Sequence, residues 1–150
     1  MNATPEPRIV ACSHCGHKNR VPAAAQGSPR CGHCHQALAW VVEADDDTFA
    51  EVAERATVPV LVDLWAPWCG PCRMVAPELV KVAARNAGRL LVVKVNTDAL
   101  ADLGERFGIR SIPTLAVFAG GREVGRTAGA RPAADIERFV ETTAAETRGR

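Results

Sequence analysis

The stretch LWAPWCGPCRMVAP, residues 64–77, sets Cys69 and Cys72 between an apolar run and a helical pattern. Upstream, VPVLVDLWA (58–66) is short, nearly continuously apolar and rich in Val, the pattern of a strand covered on both faces. Downstream, PCRMVAPELVKVAARNAG is helical; Pro71 suits the first turn, Pro77 is expected to kink the helix and Gly88 to stop it. A cysteine pair at i and i+3 at a helix start lies within bridging reach, because a disulfide needs Cα atoms about 4.4–6.8 Å apart. The same C-x-x-C spacing recurs as CSHC (12–15) and CGHC (31–34), so three identical spacings must be sorted into one chemistry or two.

Outward from that centre, strand and helix signals alternate. RLLVVKVNTD (89–98) is expected to form a second buried strand and DALADLGERFG a short helix closed by Gly108. TLAVFAGGREVGRTAG predicts two strands turning at Gly120–Gly121, and RPAADIERFVETTAAE an amphipathic helix with Ile136, Phe139 and Val140 on one side. Ahead of the first strand, DDDTFAEVAERA predicts a helix with Asp47 or Thr48 as N-cap and a Thr48/Glu51 capping box. The succession implies an α/β fold, a mixed sheet flanked by helices.

The first 40 residues differ from the rest. They hold all four histidines (His14, His17, His33, His35) and four of the six cysteines. The intervening GHKNRVPAAAQGSPR allows short strands or turns and no stable helix. Residues 1–40 are therefore expected to form a small domain and residues 41–150 the main one. Residues 1–42 carry four Lys or Arg and one Glu, residues 43–150 fourteen and sixteen acids, and the net charge is only +1. That balance gives no electrostatic case for nucleic acid or an anionic membrane. No run approaches the roughly 18 apolar residues of a membrane span. MNATPEPRIV lacks the basic-then-apolar pattern of a secretion signal, so the expected address is cytoplasmic. Cysteines in a reducing compartment point to redox catalysis or metal ligation rather than a disulfide framework.

Cys69, at the mouth of a helix, faces unpaired backbone N–H groups and the positive end of the dipole, which favour thiolate, the form that attacks disulfides. The alternative, half a metal site, finds no other cysteine or histidine among residues 41–150 to complete it. Asp63 interrupts VLVDLW; buried, it would have a raised pKa and accept the proton of Cys72, and exposed it would be an ordinary strand residue. Lys94, in VVKVN, pairs with Asp63 from a neighbouring strand or snorkels from a strand end. Cys12-x2-Cys15-x15-Cys31-x2-Cys34 fits two zinc knuckles around one tetrahedral Zn²⁺, with Gly16 and Gly32 suited to the tight turns. Two disulfides, a second redox centre or a single iron fit the same spacing.

WCGPC after VDLWAP, followed in order by IRSIPT (109–114) and AGA (128–130), resembles the thioredoxin family over most of residues 43–147. The resemblance implies a thioredoxin fold, with Cys69 as attacking thiol, Cys72 as resolving thiol, and Asp63 with Lys94 as the buried pair assisting proton transfer. It implies a cis Ile112–Pro113 bond facing the cysteines and a glycine turn at Gly129 that helps form the substrate groove. Trp65 and Trp68 match the tryptophans flanking the site, and Gly70 and Pro71 give its reducing version. Clients would be disulfide-containing proteins. A flavin- and NADPH-dependent reductase would restore the dithiol, since no dinucleotide motif is present. The whole chain is similar to the thioredoxin-2 type, with its N-terminal zinc extension, and a monomer is expected. The zinc site would be structural or redox-regulatory. The contrasting expectation is a zinc-ribbon binding or chaperone module built on the same fold.

Overall fold

The computed structural model describes residues 8–21, 29–99 and 102–148. Most of MNATPEPRIV, and the Pro/Ala-rich middle of the segment between the knuckles, lie outside the described residues. Strands β1 (Arg8–Ala11) and β2 (Lys18–Val21) form an antiparallel ribbon. Next comes a five-stranded sheet, built from β3 (Val41–Ala44), β4 (Val60–Trp65), β5 (Leu91–Asn96), β6 (Thr114–Ala119) and β7 (Arg122–Ala128) in the order β3-β5-β4-β6-β7. β3 and β4 run parallel to β5, while β6 and β7 are antiparallel neighbours. Helices α1 (Gly70–Arg85), α2 (Asp102–Phe107) and α3 (Ala133–Arg148) complete the α/β fold.

The period of two along each strand sorts the core into two layers. Val60, Val62 and Leu64 of β4 join Val93, Val95, Ala116 and Phe118 on one face, packed with Phe49, Val52 and Phe107. Leu61, Val92, Leu115 and Val117 face the other way, onto Val75, Leu79 and Val82 of α1 and Ile136 and Val140 of α3. Phe49, Phe107 and Phe118 meet edge to face with centroids 5.3–5.8 Å apart, an arrangement that adds about 0.5–1.5 kcal/mol per pair beyond the area buried. The N-terminal residues are not independent of this core. Cys12, Val21, Cys31, Leu38 and Trp40 belong to the first layer, on the opposite face of the sheet from α1. Trp40 is buried, which removes it as a stacking platform for nucleobases.

Sequence patterns located β4 to β7 and the three helices closely, while β1 and the edge strand β3 carried no such signal; local corrections also apply. The segment after β3 is a π-helical turn, Ala50–Glu54, and its entry is organised three residues earlier than the Thr48/Glu51 box. The Asp45 carboxylate accepts from the Asp47 and Thr48 amides at 2.9 and 3.1 Å, while the Thr48 hydroxyl accepts from the Asp45 amide at 3.0 Å. Thr48 is buried and spends its oxygen on Asp45, so neither it nor Asp47 caps the next turn. Helix α1 ends at Asn86, not Gly88: the Asn86 backbone and side-chain nitrogens both donate to the Val82 carbonyl, at 3.0 and 2.8 Å. Gly88, at φ +83°, lies in the turn to β5, where a Cβ would come 3.1 Å from that of Ala37. The Gly120–Gly121 hairpin is as expected, both residues at positive φ (61° and 81°), the conformation a two-residue hairpin turn demands.

Candidate functional site

Cys69, in the loop beyond β4, is in extended conformation (φ −89°, ψ 114°) and is the N-cap of α1; its sulfur accepts the Cys72 amide at 3.2 Å. Gly70 and Pro71 occupy the first turn, where the missing N–H of proline has no helical partner to lose. Cys69 and Cys72, with Cα atoms 5.3 Å apart, are joined by a disulfide. Both residues are buried, with Ala66, Trp65 and Ile112 around them. The Ile112 carbonyl oxygen lies 3.7 Å from Cys69 Sγ, close enough to accept a hydrogen bond from the Cys69 thiol once the bridge is reduced. The Ile112–Pro113 bond is cis, and the Pro113 carbonyl accepts from the amide of Gly129, at φ +92°.

The rim is open. Apart from its chain neighbours and the adjoining helix backbone, no atom of the described residues lies within 4 Å of where a Cβ on Gly70 would sit, and Pro71 is exposed. Trp68 is 69% exposed, yet its indole N–H is held by the Asp98 carboxylate at 2.9 and 3.1 Å. Arg73 donates to the Pro67 carbonyl at 2.9 Å, tying the loop before the cysteines to the helix after them. Sequence reasoning missed both Asp98 and Arg73. Thirty residues separate Asp98 from Trp68, and no local spacing signals that pairing.

Asp63 is buried, and within the described residues neither carboxylate oxygen has a hydrogen-bond partner. Desolvation pushes its pKa up to about 6, against the lowering influence of the Lys94 charge. Asp63 and Lys94 are register partners on β4 and β5, so the expected neighbours are brought together. They make no ion pair: the Lys94 ammonium sits 5.0 Å from the centroid of the Trp65 ring, a cation–π contact. By strand alternation Asp63 and Trp65 face the layer containing α1, whose first turn bears the disulfide.

The other four cysteines converge. Cys12, Cys15, Cys31 and Cys34 place their sulfurs within 4.8 Å of one another, and the Cys12–Cys34 and Cys15–Cys31 contacts are 3.6 Å. A tetrahedron of thiolates about 2.3 Å from a central Zn²⁺ has edges of about 3.8 Å, so the set fits such an ion. Each knuckle is the same turn: Cys12 N donates to His17 O and Gly16 N to Cys12 O, as Cys31 N donates to Gln36 O and His35 N to Cys31 O. The positive-φ position is Gly16 in the first and His35, at 66°, in the second. Gly32 lies in the turn of the second knuckle, as expected, without a positive φ, and donates its amide to the Asn19 side chain at 2.9 Å.

Charge also argues for a cation. Amide donors from Cys34 and His33, with Asn19, hold the Cys31 thiol down at about 5 against desolvation. Cys12 is lowered by amides of Cys15 and His14. The His17 amide favours the Cys15 thiolate, but desolvation and the neighbouring sulfurs push that thiol up to about 12. Four thiolates this close cannot all ionise unless a positive ion joins them. The four histidines are exposed and none joins the cluster; His17 and His33 stack with centroids 5.5 Å apart.

A sheet whose central strand delivers a C-x-x-C pair to a helix N-terminus, opposite a cis-proline loop, defines a dithiol–disulfide oxidoreductase. Residues 40–142 match the family model described as Thioredoxin. The chain is 39% identical over 136 residues to Thioredoxin C-3 of Corynebacterium nephridii, covering 89% of this chain and 93% of the relative. It is 46% identical over 120 residues to the chloroplastic M-type thioredoxin of Chlamydomonas reinhardtii (80% and 84% covered), and 48% over 104 residues to Thioredoxin 1 of a Nostoc species (69% and 97%). The chain belongs to the thioredoxin family, whose members are protein-disulfide oxidoreductases with disulfide-containing substrates and reductase partners. The alignment to Thioredoxin C-3 is longer than the whole segment from residue 40 onward, so it reaches into the cysteine-rich N-terminus. Among the described residues no helix is long and apolar enough to cross a membrane.

Proposed function

We propose that this protein reduces disulfides in other proteins through Cys69 and Cys72, and that the four N-terminal cysteines hold one structural zinc. The observation that carries the first part is the Cys69 sulfur at the N-cap of α1, accepting the Cys72 amide. An anionic sulfur there is stabilised by the backbone donors and the dipole. Cys69 attacks one sulfur of a client disulfide, forming a mixed disulfide and expelling the other client sulfur as thiolate. Asp63, its pKa raised by burial to about 6, takes the Cys72 proton. Cys72 then displaces the client from Cys69, leaving the Cys69–Cys72 bridge and a fully reduced client.

Trp68, Gly70, Pro71, Ile112, Pro113 and Gly129 form the surface on which an extended client segment lies. Lys94 moderates the charge on Asp63. Zinc, when bound, cross-links the two knuckles and supplies folding free energy that so small a module lacks. Cys12, Cys15, Cys31 and Cys34 are its ligands within a domain of residues 1–40, and residues 41–150 form the redox domain. A flavin- and NADPH-dependent reductase returns electrons to the bridge in the cytoplasm, where the protein acts as a monomer. Insulin reduction with dithiothreitol as electron source tests this function: wild-type protein accelerates it, and a Cys69→Ser variant that kept full turnover would refute the assignment. Equal client retention by a Cys69→Ser/Cys72→Ser protein would favour a binding or chaperone module instead.

A further inference from the structure

The loop Gly108–Pro113 carries the Ile112 carbonyl to within 3.7 Å of Cys69 Sγ, yet it lies between α2 and β6 without regular structure. Its placement depends on what holds its ends. At the exit, the Gly129 amide donates to the Pro113 carbonyl at 2.9 Å and the Thr114 hydroxyl to the Ser111 carbonyl at 2.6 Å. At the entrance stands Phe107, last residue of α2, whose ring is locked between Phe49 and Phe118. Its carbonyl belongs to the group a helix C-terminus leaves unpaired. Arg126 of β7 reaches across and donates Nη1 to that carbonyl at 2.7 Å. The same guanidinium is gripped from behind by Glu123, whose two carboxylate oxygens accept from Nε and Nη2 at 2.6 and 2.7 Å.

One strand therefore holds both ends of the loop, through Arg126 at its entrance and Gly129, just beyond its last residue, at its exit. We infer that Arg126 is a positioning residue that sets the loop for extended polypeptide disulfides without touching the reacting sulfurs. This rests on the proposed role of that loop in client binding. The planar fork is essential to the role: three directed donors fix the carbonyl relative to Glu123, whereas a lysine offers a single flexible point. Misplacing a recognition surface by a fraction of an ångström weakens the productive complex with a large substrate, while a small disulfide that needs only the sulfurs is unaffected.

The test uses the full chain, metal-loaded: insulin turnover is measured with dithiothreitol as reductant, and reaction with the small aromatic disulfide DTNB is measured separately on pre-reduced protein freed of dithiothreitol, which would otherwise reduce DTNB itself. Arg126→Gln is expected to raise KM for insulin about fivefold with kcat within about twofold and the DTNB rate unchanged; Arg126→Lys is expected to recover only part of the loss. An unchanged KM, or parallel losses with insulin and DTNB, overturns the inference, the latter by exposing a general loss of structure. If Arg126→Gln folds poorly, Glu123→Gln, which frees the guanidinium while leaving its bond to Phe107, is expected to show the same selective KM rise at about twofold, and its absence counts equally against the inference. Turnover of insulin by Cys69→Ser would instead sink the redox assignment beneath it.

Discussion

Cys12/Cys15 and Cys69/Cys72 share a spacing, and in both pairs a backbone amide points at the first sulfur, at 3.4 Å from His14 and 3.2 Å from Cys72. The chain beyond the second cysteine separates them. After Cys15 it turns through Gly16 at φ +79° and comes back as β2, which sets the knuckle against its counterpart at Cys31 and Cys34. After Cys72, the third residue of the sixteen-residue helix α1, the chain runs on in helix to Arg85, so no second pair is presented and the sulfurs can only meet each other. Spacing makes a cysteine pair possible; the backbone path decides between ligand set and redox couple.

The strongest way to break that contrast is to remove the metal. A structural zinc contributes about 10 kcal/mol or more in zinc-binding peptides, so chelation is expected to unfold residues 8–21 and 29–38, seen as loss of their amide dispersion in NMR. The rate at which Cys69 reacts with DTNB should stay within about threefold. A collapse of thiol reactivity on chelation would merge the two chemistries. The converse experiment is Cys69→Ser, expected to lower insulin turnover at least about a thousandfold, equivalent to about 4 kcal/mol, with one zinc per chain still measured by metal analysis.

Asp63 sharpens the comparison through pH. Its folded-state pKa is raised from 3.8 to about 6, so between those values the native state holds more protons than the unfolded chain. Stability therefore falls as pH rises through that window, and the penalty is complete above it. Asp63→Asn is expected to stabilise the oxidised protein at pH 7 by up to about 3 kcal/mol in urea titrations and to flatten the slope between roughly pH 4 and 6. The same change should slow the resolving step, and metal content should not respond.

The smallest effect concerns the seam between the regions. Gly88→Ala places a side chain at φ +83° and 3.1 Å from the Ala37 Cβ. A loss of about 1–2 kcal/mol is expected from the backbone strain. Ala37→Gly in the same background should return only the contact share, and full recovery would show that strain plays no part.

Much of this molecule is legible in its sequence because the informative signals are local. VLVDLW announces a buried strand with one misplaced charge, and Gly120–Gly121 a tight hairpin. C-x-x-C at a helix start and the paired knuckles announce their sulfurs. The features that escaped depend on distant partners. The Lys94 ammonium rests over Trp65 rather than on Asp63, and Asp98 steers Trp68 from thirty residues away. Asp45 takes over a cap expected at Asp47 or Thr48 because the buried Thr48 hydroxyl pairs with it. His35, and no glycine, supplies the left-handed residue of the second knuckle, since the knuckle places that conformation after its second cysteine. The packing of Cys12 and Cys31 into the layer opposite α1 arises from the tertiary fold and from no short pattern.

That packing limits how the chain can be miswired. Six cysteines can pair in about fifteen ways and four in about three. A hydrogen-bonded sheet standing between the two sulfur stores acts as an insulating partition. Thiol–disulfide exchange between the two stores within one folded chain is therefore expected to be slow beside exchange within each.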